Sequence, residues 1–251
     1  MHISIKAQPL FHIGDFVVTN TLFTSWLVVL FVVVCAFLFS LFFKKVPSRI
    51  QALAEIVFEK FLDFMEVFAG SKALVRKFLP IVATIFVFVL ASNWAGTLPG
   101  VETIGIHSED HGHEVFTPLL RTVNSDINST LALALIVVIG SHIIGLFMIG
   151  PKHHAGKFLV NPFKSPIGFF VGFLEIIGEF SRIVSLTFRL FGNIFAGSVL
   201  MLIISYLAPF ILPIPFLGLE LFVGFIQALV FSVLAMMFFA SASHAHTEEA
   251  H

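Results

Sequence analysis

The chain of 251 residues is 58% hydrophobic and only 12% charged, and its mean hydropathy is +1.02. These values exclude an ordinary soluble domain and indicate a membrane protein. The formal net charge is -1 and the basic residues form no clustered face, so we expect no nucleic-acid partner. The single cysteine, Cys35, excludes a disulfide framework within one chain.

Three uncharged apolar runs predict membrane-spanning helices. They cover residues 21–43, 78–94 and 127–150, and each is close to the roughly 20 residues that a helix needs to cross the hydrocarbon core. The start of the sequence has no basic region that leads into a short apolar core and a cleavage site. We therefore expect the first run to remain as a membrane anchor.

Residues 47–70 predict an amphipathic helix. Apolar residues recur there at helical spacing, with Glu55, Glu59, Lys60 and Asp63 between them. Such a helix fits along a membrane surface, although a stripe packed against a partner subunit has the same pattern. The apolar stripe comprises Ile50, Leu53, Ile56, Val57, Phe61, Phe64 and Phe68.

Residues 166–240 predict a helical hairpin. A run without further proline extends from Pro166 to Leu207 and would measure about 60 Å as a helix. Because this length exceeds that of an upright crossing, we expect a strong tilt. A last span is predicted at 216–240, after the helix is interrupted by prolines. These are Pro209, Pro213 and Pro215.

Basic residues in the short loops predict how the chain crosses the membrane. The loops that flank residues 47–70 and the loop that precedes Pro166 are basic and should be cytoplasmic, whereas the acidic loop at 95–126 should lie outside. The expected fold is therefore all-α and polytopic, with about five transmembrane helices in one domain, 1–251. The amino terminus should be outside and the carboxyl terminus cytoplasmic. The basic residues are Lys44, Lys45, Arg49, Lys72, Arg76, Lys77, Lys152, Lys157 and Lys164.

A polar stripe runs along the predicted long helix. Arg189 lies in apolar sequence, where an arginine costs at least about 2.5 to 3.5 kcal/mol on insertion scales. Ser185 and Asn193 lie one turn to either side of it on the same face. Arg182 and Glu175 follow at successive seven-residue steps, which drift by only about 20° each.

Two explanations for Arg189 remain open. One is an ion pair within the chain, with Glu175, Glu179 or Glu220; the other is a functional role, which is the default for a charged residue inside a membrane. On the return helix, Glu220 and Gln227 are also seven residues apart. The hairpin can therefore bring two polar stripes face to face.

Four motifs resemble those of subunit a of F-type ATP synthases. The segment SLTFRLFGNIFAGS at 185–198 is similar to the arginine motif of that family, and GLELFVGFIQALVFSVLAMMF at 218–238 is similar to its final helix. Weaker matches are NWAGTLPG at 93–100 and DINSTLALAL at 126–135. The four occur in the family's order, and the resemblance covers nearly the whole chain.

The resemblance implies a stator that faces a rotating c ring. Arg189 would meet a carboxylate on each passing ring subunit, with the hairpin at 166–240 pressed against the ring. The other implied partners are the peripheral-stalk b subunits, the lipid bilayer and, indirectly, the soluble catalytic head. The implied location is a bacterial inner membrane. Proton coupling is the family expectation, since the choice between proton and sodium depends largely on ring residues.

The resemblance also implies two half-channels that reach the ring from opposite sides. Glu179 and Arg182 either line the inner path or form an internal ion pair. Some relatives have a carboxylate at the position of Ser198 and a histidine at that of Glu220, an exchange that keeps one protonatable group in the hairpin. The outer path is assigned Asp126, Asn193, Glu220 and Gln227, and the inner path Glu175 and Ser185.

The histidines allow more than one interpretation. His142 lies in the third span, either beside the outer water path or as a satisfied core histidine. His107, His111 and His113 lie close to carboxylates in the segment HSEDHGHE, which either binds a metal or forms a hydrated loop. No closed set of ligands is evident, so we expect neither a metal nor a cofactor.

A secondary ion-coupled transporter is the main alternative, because buried charges and interrupted helices also suit a substrate pathway. The paired interruptions of such a transporter are missing from the sequence. A haem-binding anchor would need facing histidines, and a membrane protease would need a nucleophile with its base or a zinc motif. The chain has no phosphate-binding loop, so ATP chemistry would take place on other subunits.

Overall fold

The computed structural model contains six α-helices, one 3₁₀ helix and two β-hairpins among the residues that it describes. The all-α prediction is confirmed, and the two short hairpins are additions to it. For 107–110 and 113–116 the structure describes the backbone. The described residues are 7–98, 101, 104–110, 113–151, 156, 166–208 and 211–243.

The first transmembrane helix, α1, covers Asn20–Leu41 and agrees with the span predicted at 21–43. Thr19 caps it, since its side chain accepts a hydrogen bond from the backbone N–H of Leu22. The helix buries polar residues near its start, Thr21 and Thr24 among them, while most of its later apolar side chains are exposed. Exposed apolar side chains over this length suit contact with lipid.

The amphipathic helix, α2, covers Arg49–Ala69. Ser48 accepts a hydrogen bond from the backbone N–H of Gln51 at 3.3 Å, and Gly70 ends the helix with a φ of 72°, a conformation that favours glycine. Met65 is fully buried against the core, whereas Val57 is 68% exposed. Of the predicted apolar stripe, Phe61 packs against the core, whereas most of the other members, Val57 included, are exposed on the outer surface of the helix.

Helix α3 covers Lys72–Thr97 and starts six residues before the predicted span at 78–94. The prediction left Lys72, Arg76 and Lys77 in a loop; in the structure they lie in the first turns of the helix. Long basic side chains at a helix end can extend their charge towards water while their stems cover apolar surface. The charged residues at these positions therefore did not mark the point at which the helix begins.

Helices α4, α5 and α6 cover Ile127–Ile149, Pro166–Leu207 and Pro213–Ser243. The start of α6 corrects the prediction that Pro213 and Pro215 interrupt the helix. Both lie in its first turn, where a missing backbone N–H breaks no intrahelical hydrogen bond. Pro209 lies outside the described residues.

The core lies where α6 packs against α3 and α4. Phe231, Met236 and Phe239 of α6 are almost completely buried, and the rings of Phe78 and Phe239 are 5.8 Å apart. One face of α5 adds Leu190 to the same apolar cluster. Helix α6 is therefore the central element, and its hairpin partner α5 packs against both α6 and, more extensively, α4.

Two antiparallel hairpins precede α1 and α4. Strand β1, Pro9–Ile13, pairs with β2, Phe16–Thr19, through a two-residue turn in which Gly14 has a φ of 62°. Strand β3, Gly105–Asp110, pairs with β4, His113–Pro118. The second hairpin lies in the acidic loop, where the sequence analysis predicted no regular structure.

Five of the six helices have the length and composition of membrane spans. These are α1, α3, α4, α5 and α6, in agreement with the five crossings predicted. Helix α5 has 42 residues, which corresponds to about 60 Å, roughly twice the thickness of a hydrocarbon core.

Candidate functional site

The two polar stripes of the hairpin meet at Asn193 of α5 and Gln227 of α6. Asn193 Nδ2 donates a hydrogen bond to Gln227 Oε1 at 3.4 Å. One turn further along α5, a β-carbon placed on Gly197 would lie 3.0 Å from Glu220 Oε1, so the carboxylate occupies the space left by the glycine. The structure therefore brings together Asn193, Gln227 and Glu220, as their spacing predicted.

Arg189 lies on the exposed side of the same helix. Its Nη2 donates a hydrogen bond to Ser185 Oγ at 3.3 Å, one turn earlier. The ion pairs of the described residues involve other cations and do not include Arg189. The alternative of an ion pair within the chain, with Glu175, Glu179 or Glu220, is therefore not what the described part of the structure contains.

A cavity of about 250 Å³ opens beside Arg189. Residues of α5 form one wall and two residues of α6 form the other. Both arginines of the predicted polar stripe reach this cavity, and so does Ser185. The lining comprises Gly178, Ser181, Arg182, Ser185, Leu186 and Arg189 of α5, and Leu234 and Phe238 of α6.

Glu179 lies behind this cavity and faces α4. Its Oε1 pairs with Arg182 Nη1, and its Oε2 lies 3.6 Å from Nε2 of His142. The internal ion pair that the sequence analysis kept open for Glu179 and Arg182 is confirmed. His142 lies against Glu179, on the same side of Arg189 as Glu175, and not with the Glu220 group.

Asp126 is buried at the start of α4. It accepts hydrogen bonds from the backbone N–H of Asn128 and from Thr21 Oγ1, each at 2.9 Å. The first bond caps α4 and the second joins α4 to α1. Asp126 therefore has a structural role at the end of the bundle where Glu220 and Gln227 also approach α5.

Two buried asparagines that the sequence analysis did not select lie next to this region. Asn124 Nδ2 donates to Asn93 Oδ1 at 2.7 Å, and Asn93 Nδ2 donates to the backbone carbonyl of Gly224 at 3.0 Å. Gly224 precedes Gln227 by one turn of α6. Asn93 belongs to the motif NWAGTLPG, which was the available signal, whereas the role of Asn124 depends on a contact that its local sequence does not reveal.

No group of three potential metal ligands occurs among the described residues. His111 and the side chains of His107 and His113 lie outside them. The choice between a metal site and a hydrated loop for HSEDHGHE therefore stays as the sequence analysis left it.

The sequence model of the family described as ATP synthase A chain matches residues 22–240, which is most of the chain. The chain belongs to this family. Membership in the ATP synthase subunit a family, together with five apolar helices, identifies an integral membrane subunit of an F-type ATP synthase. Membership in this family favours an ATP synthase subunit over a secondary transporter.

Relatives named ATP synthase subunit a align over nearly their full length. The protein of Trichlorobacter lovleyi is 32% identical over 99% of this chain and 96% of the relative. That of Syntrophobacter fumaroxidans is 34% identical over 93% of this chain and 88% of the relative. That of Citrifermentans bemidjiense is 33% identical over 88% of this chain and 87% of the relative.

Proposed function

We propose that this subunit carries protons between two half-channels and the carboxylates of a rotating c ring. The observation that carries the proposal is Arg189, an exposed guanidinium within a membrane-length helix. Within the described part of the chain it donates a hydrogen bond to a neutral serine and pairs with no carboxylate. An intramembrane arginine is costly enough to need a charged or hydrated partner. A carboxylate on each passing ring subunit supplies that partner from outside the chain.

The coupling follows from the effect of Arg189 on such a carboxylate. A positive charge within about 4 to 6 Å favours the ionised form, so the ring site releases its proton beside Arg189. Away from the stator, lipid surrounds the site and desolvation favours the protonated form. Rotation therefore exchanges one form for the other, and the positive charge of Arg189 prevents a proton from passing directly between the half-channels.

The outer half-channel consists of polar groups at one end of the hairpin. Asn193 and Gln227 meet across it, and Glu220 lies one turn away in the space left by Gly197. Gln227 Nε2 is buried without a protein partner in the described residues, as is Asn124 Oδ1. Buried polar groups of this kind commonly bind ordered water, which a proton path requires. Asp126, at the start of α4, is the fourth residue that we assign to the outer half-channel.

The inner half-channel lies along α5 on the other side of Arg189. Ser185 lines the cavity there and bonds to Arg189, and Glu175 is half-buried further along the helix. Glu179 and Arg182 form the adjoining ion pair, and His142 contacts it from α4. Because of this contact we assign His142 to the inner path, whereas the sequence analysis considered a position beside the outer one.

The orientation follows from the basic end of α3 and from the acidic loop that contains β3 and β4. Lys72, Arg76 and Lys77 should be cytoplasmic, with the amino terminus outside and the carboxyl terminus cytoplasmic. The hairpin at 166–240 should face the c ring, and the b subunits should bind elsewhere on the chain. We propose the inner membrane of a bacterium as the location, as the family resemblance implies.

Purification of the chain from its native membrane in mild detergent tests the proposal. We expect a c ring, b subunits and a soluble head with ATPase activity to copurify, and the reconstituted complex to acidify vesicles when ATP is added. Pumping that persists without sodium would support proton coupling. A complex that lacks a c ring, or one that transports a small solute without ATPase activity, would contradict the proposal.

A further inference from the structure

Glu179 connects three helices next to the cavity beside Arg189. It pairs with Arg182 on its own helix and lies 3.6 Å from His142 of α4. Arg182 in turn lies with its Cζ 5.3 Å from the ring centre of Phe238 on α6. Arg182 and Phe238 line the cavity, whereas Glu179 lies outside its lining. The carboxylate therefore acts on the cavity through Arg182.

The cavity would be strongly positive without this carboxylate. Arg182 and Arg189 both line a space of about 250 Å³, and their seven-residue separation places them roughly 10 Å apart along the helix axis. Both guanidiniums are always charged. Two such charges raise the electrostatic energy of any cation in the space between them, a hydrated proton included.

We propose that Glu179 sets the charge of this cavity: it balances Arg182, holds it against Phe238, and leaves Arg189 as the cavity charge that no carboxylate of the described chain balances. This inference rests on the proposed function, since it concerns the inner proton path. Glu179 is a positioning residue here, and it need not exchange protons itself. The second carboxylate oxygen lies on the side of α4, 3.6 Å from His142 Nε2.

A cysteine introduced into the cavity can report the electrostatic potential of the cavity. Ser181 is exposed and lines the cavity, and replacement of the exposed Cys35 by serine leaves Ser181→Cys as the single thiol of this chain. In the assembled complex in lipid vesicles, this thiol is reacted with a cationic and with an anionic methanethiosulfonate of similar size. The ratio of the two rates measures the local potential.

Glu179→Gln should shift this ratio towards the anionic reagent by about threefold or more, as expected for one unit charge at this range. Combining it with Arg182→Gln should restore the original ratio. Glu175→Gln removes the same charge one turn away and should give a smaller shift. ATP-driven proton pumping should fall in Glu179→Gln and recover in the double variant.

An unchanged ratio in Glu179→Gln, or a double variant that keeps the shift of the single one, would overturn the inference. If Glu179→Gln does not assemble, Arg182→Gln alone should shift the ratio towards the cationic reagent, and the absence of that shift would be equally decisive. Arg189→Ala, measured in parallel, separates the two proposals. Normal coupling in that variant refutes the proposed function, whereas its loss together with an unchanged ratio in Glu179→Gln refutes this inference alone.

Discussion

Asn193 Nδ2 and Gln227 Oε1 form a hydrogen bond across the hairpin, 34 residues apart in sequence and 3.4 Å apart in space. The bond connects the face of α5 that carries Arg189 to the most buried helix of the bundle. Glu220 lies on the same helix as Gln227, two turns earlier, so the contact brings this face of α5 close to Glu220. The two amides therefore join α5 to α6 where we propose the outer path.

The effects of Asn193→Ala and Gln227→Ala on proton pumping should be strongly coupled. Each variant removes the same hydrogen bond, so the double variant should pump protons little more slowly than the worse single variant. Pairs in contact typically show interaction energies of roughly 0.5 to 3 kcal/mol. The rates of ATP-driven pumping by the wild type, the two single variants and the double variant measure this interaction energy. Additive effects would mean that the two amides act separately.

Glu220→Ala and Glu175→Ala should impair proton exchange on opposite sides. Relay groups often contribute about 10² to 10⁴ in rate when they are essential. At a fixed gradient, ATP synthesis should become limited by the outer proton concentration in Glu220→Ala and by the cytoplasmic one in Glu175→Ala. Glu59→Ala on the exposed face of α2 is the matched control and should change neither dependence. Wild-type behaviour of both variants would exclude these carboxylates from the path.

Cysteine labelling tests the orientation. In a chain with Cys35→Ser, a cysteine at Ser108 in strand β3 should react with a membrane-impermeant reagent added outside intact cells, because the acidic loop is predicted to be external. A cysteine at Lys72 should react only after the membrane is opened. The reverse pattern would exchange the inner and outer assignments of both half-channels.

The long helices could be predicted because apolar runs and prolines determine them locally. Pro166–Leu207 agrees with its prediction residue for residue, since the run starts with a helix-compatible proline and continues without another. The start of α3 could not be predicted in this way, because Lys72 and Arg76 resemble a loop by composition. The hairpin of β3 and β4 was missed because its charged sequence has no apolar alternation.

Part of the candidate site could also be predicted. The seven-residue spacing of Glu220 and Gln227 predicted that two polar stripes would face each other, and the structure places Gln227 against Asn193. Spacing alone could not decide whether Glu179 pairs within the chain, because that depends on which side chains approach it from other helices. The same holds for the contact between Asn93 and Asn124, which are 31 residues apart.

Arg189→Ala tests the central claim most directly. In the proposed mechanism the charge of Arg189 favours ionisation of the ring carboxylate and separates the half-channels, so ATP synthesis should fall by about 100-fold or more in the variant. Arg189→Lys keeps a charge but changes its reach and hydrogen-bond geometry, and should also fail to restore normal coupling. Arg76→Gln on α3 is the control and should leave coupling intact.

The decisive measurement is ATP synthesis driven by an imposed proton gradient, in vesicles that contain equal amounts of assembled wild-type or Arg189→Ala complex. The account predicts that Arg189→Ala makes almost no ATP while the c ring and soluble head remain bound to it. Synthesis at the wild-type rate by the assembled Arg189→Ala complex would contradict the account.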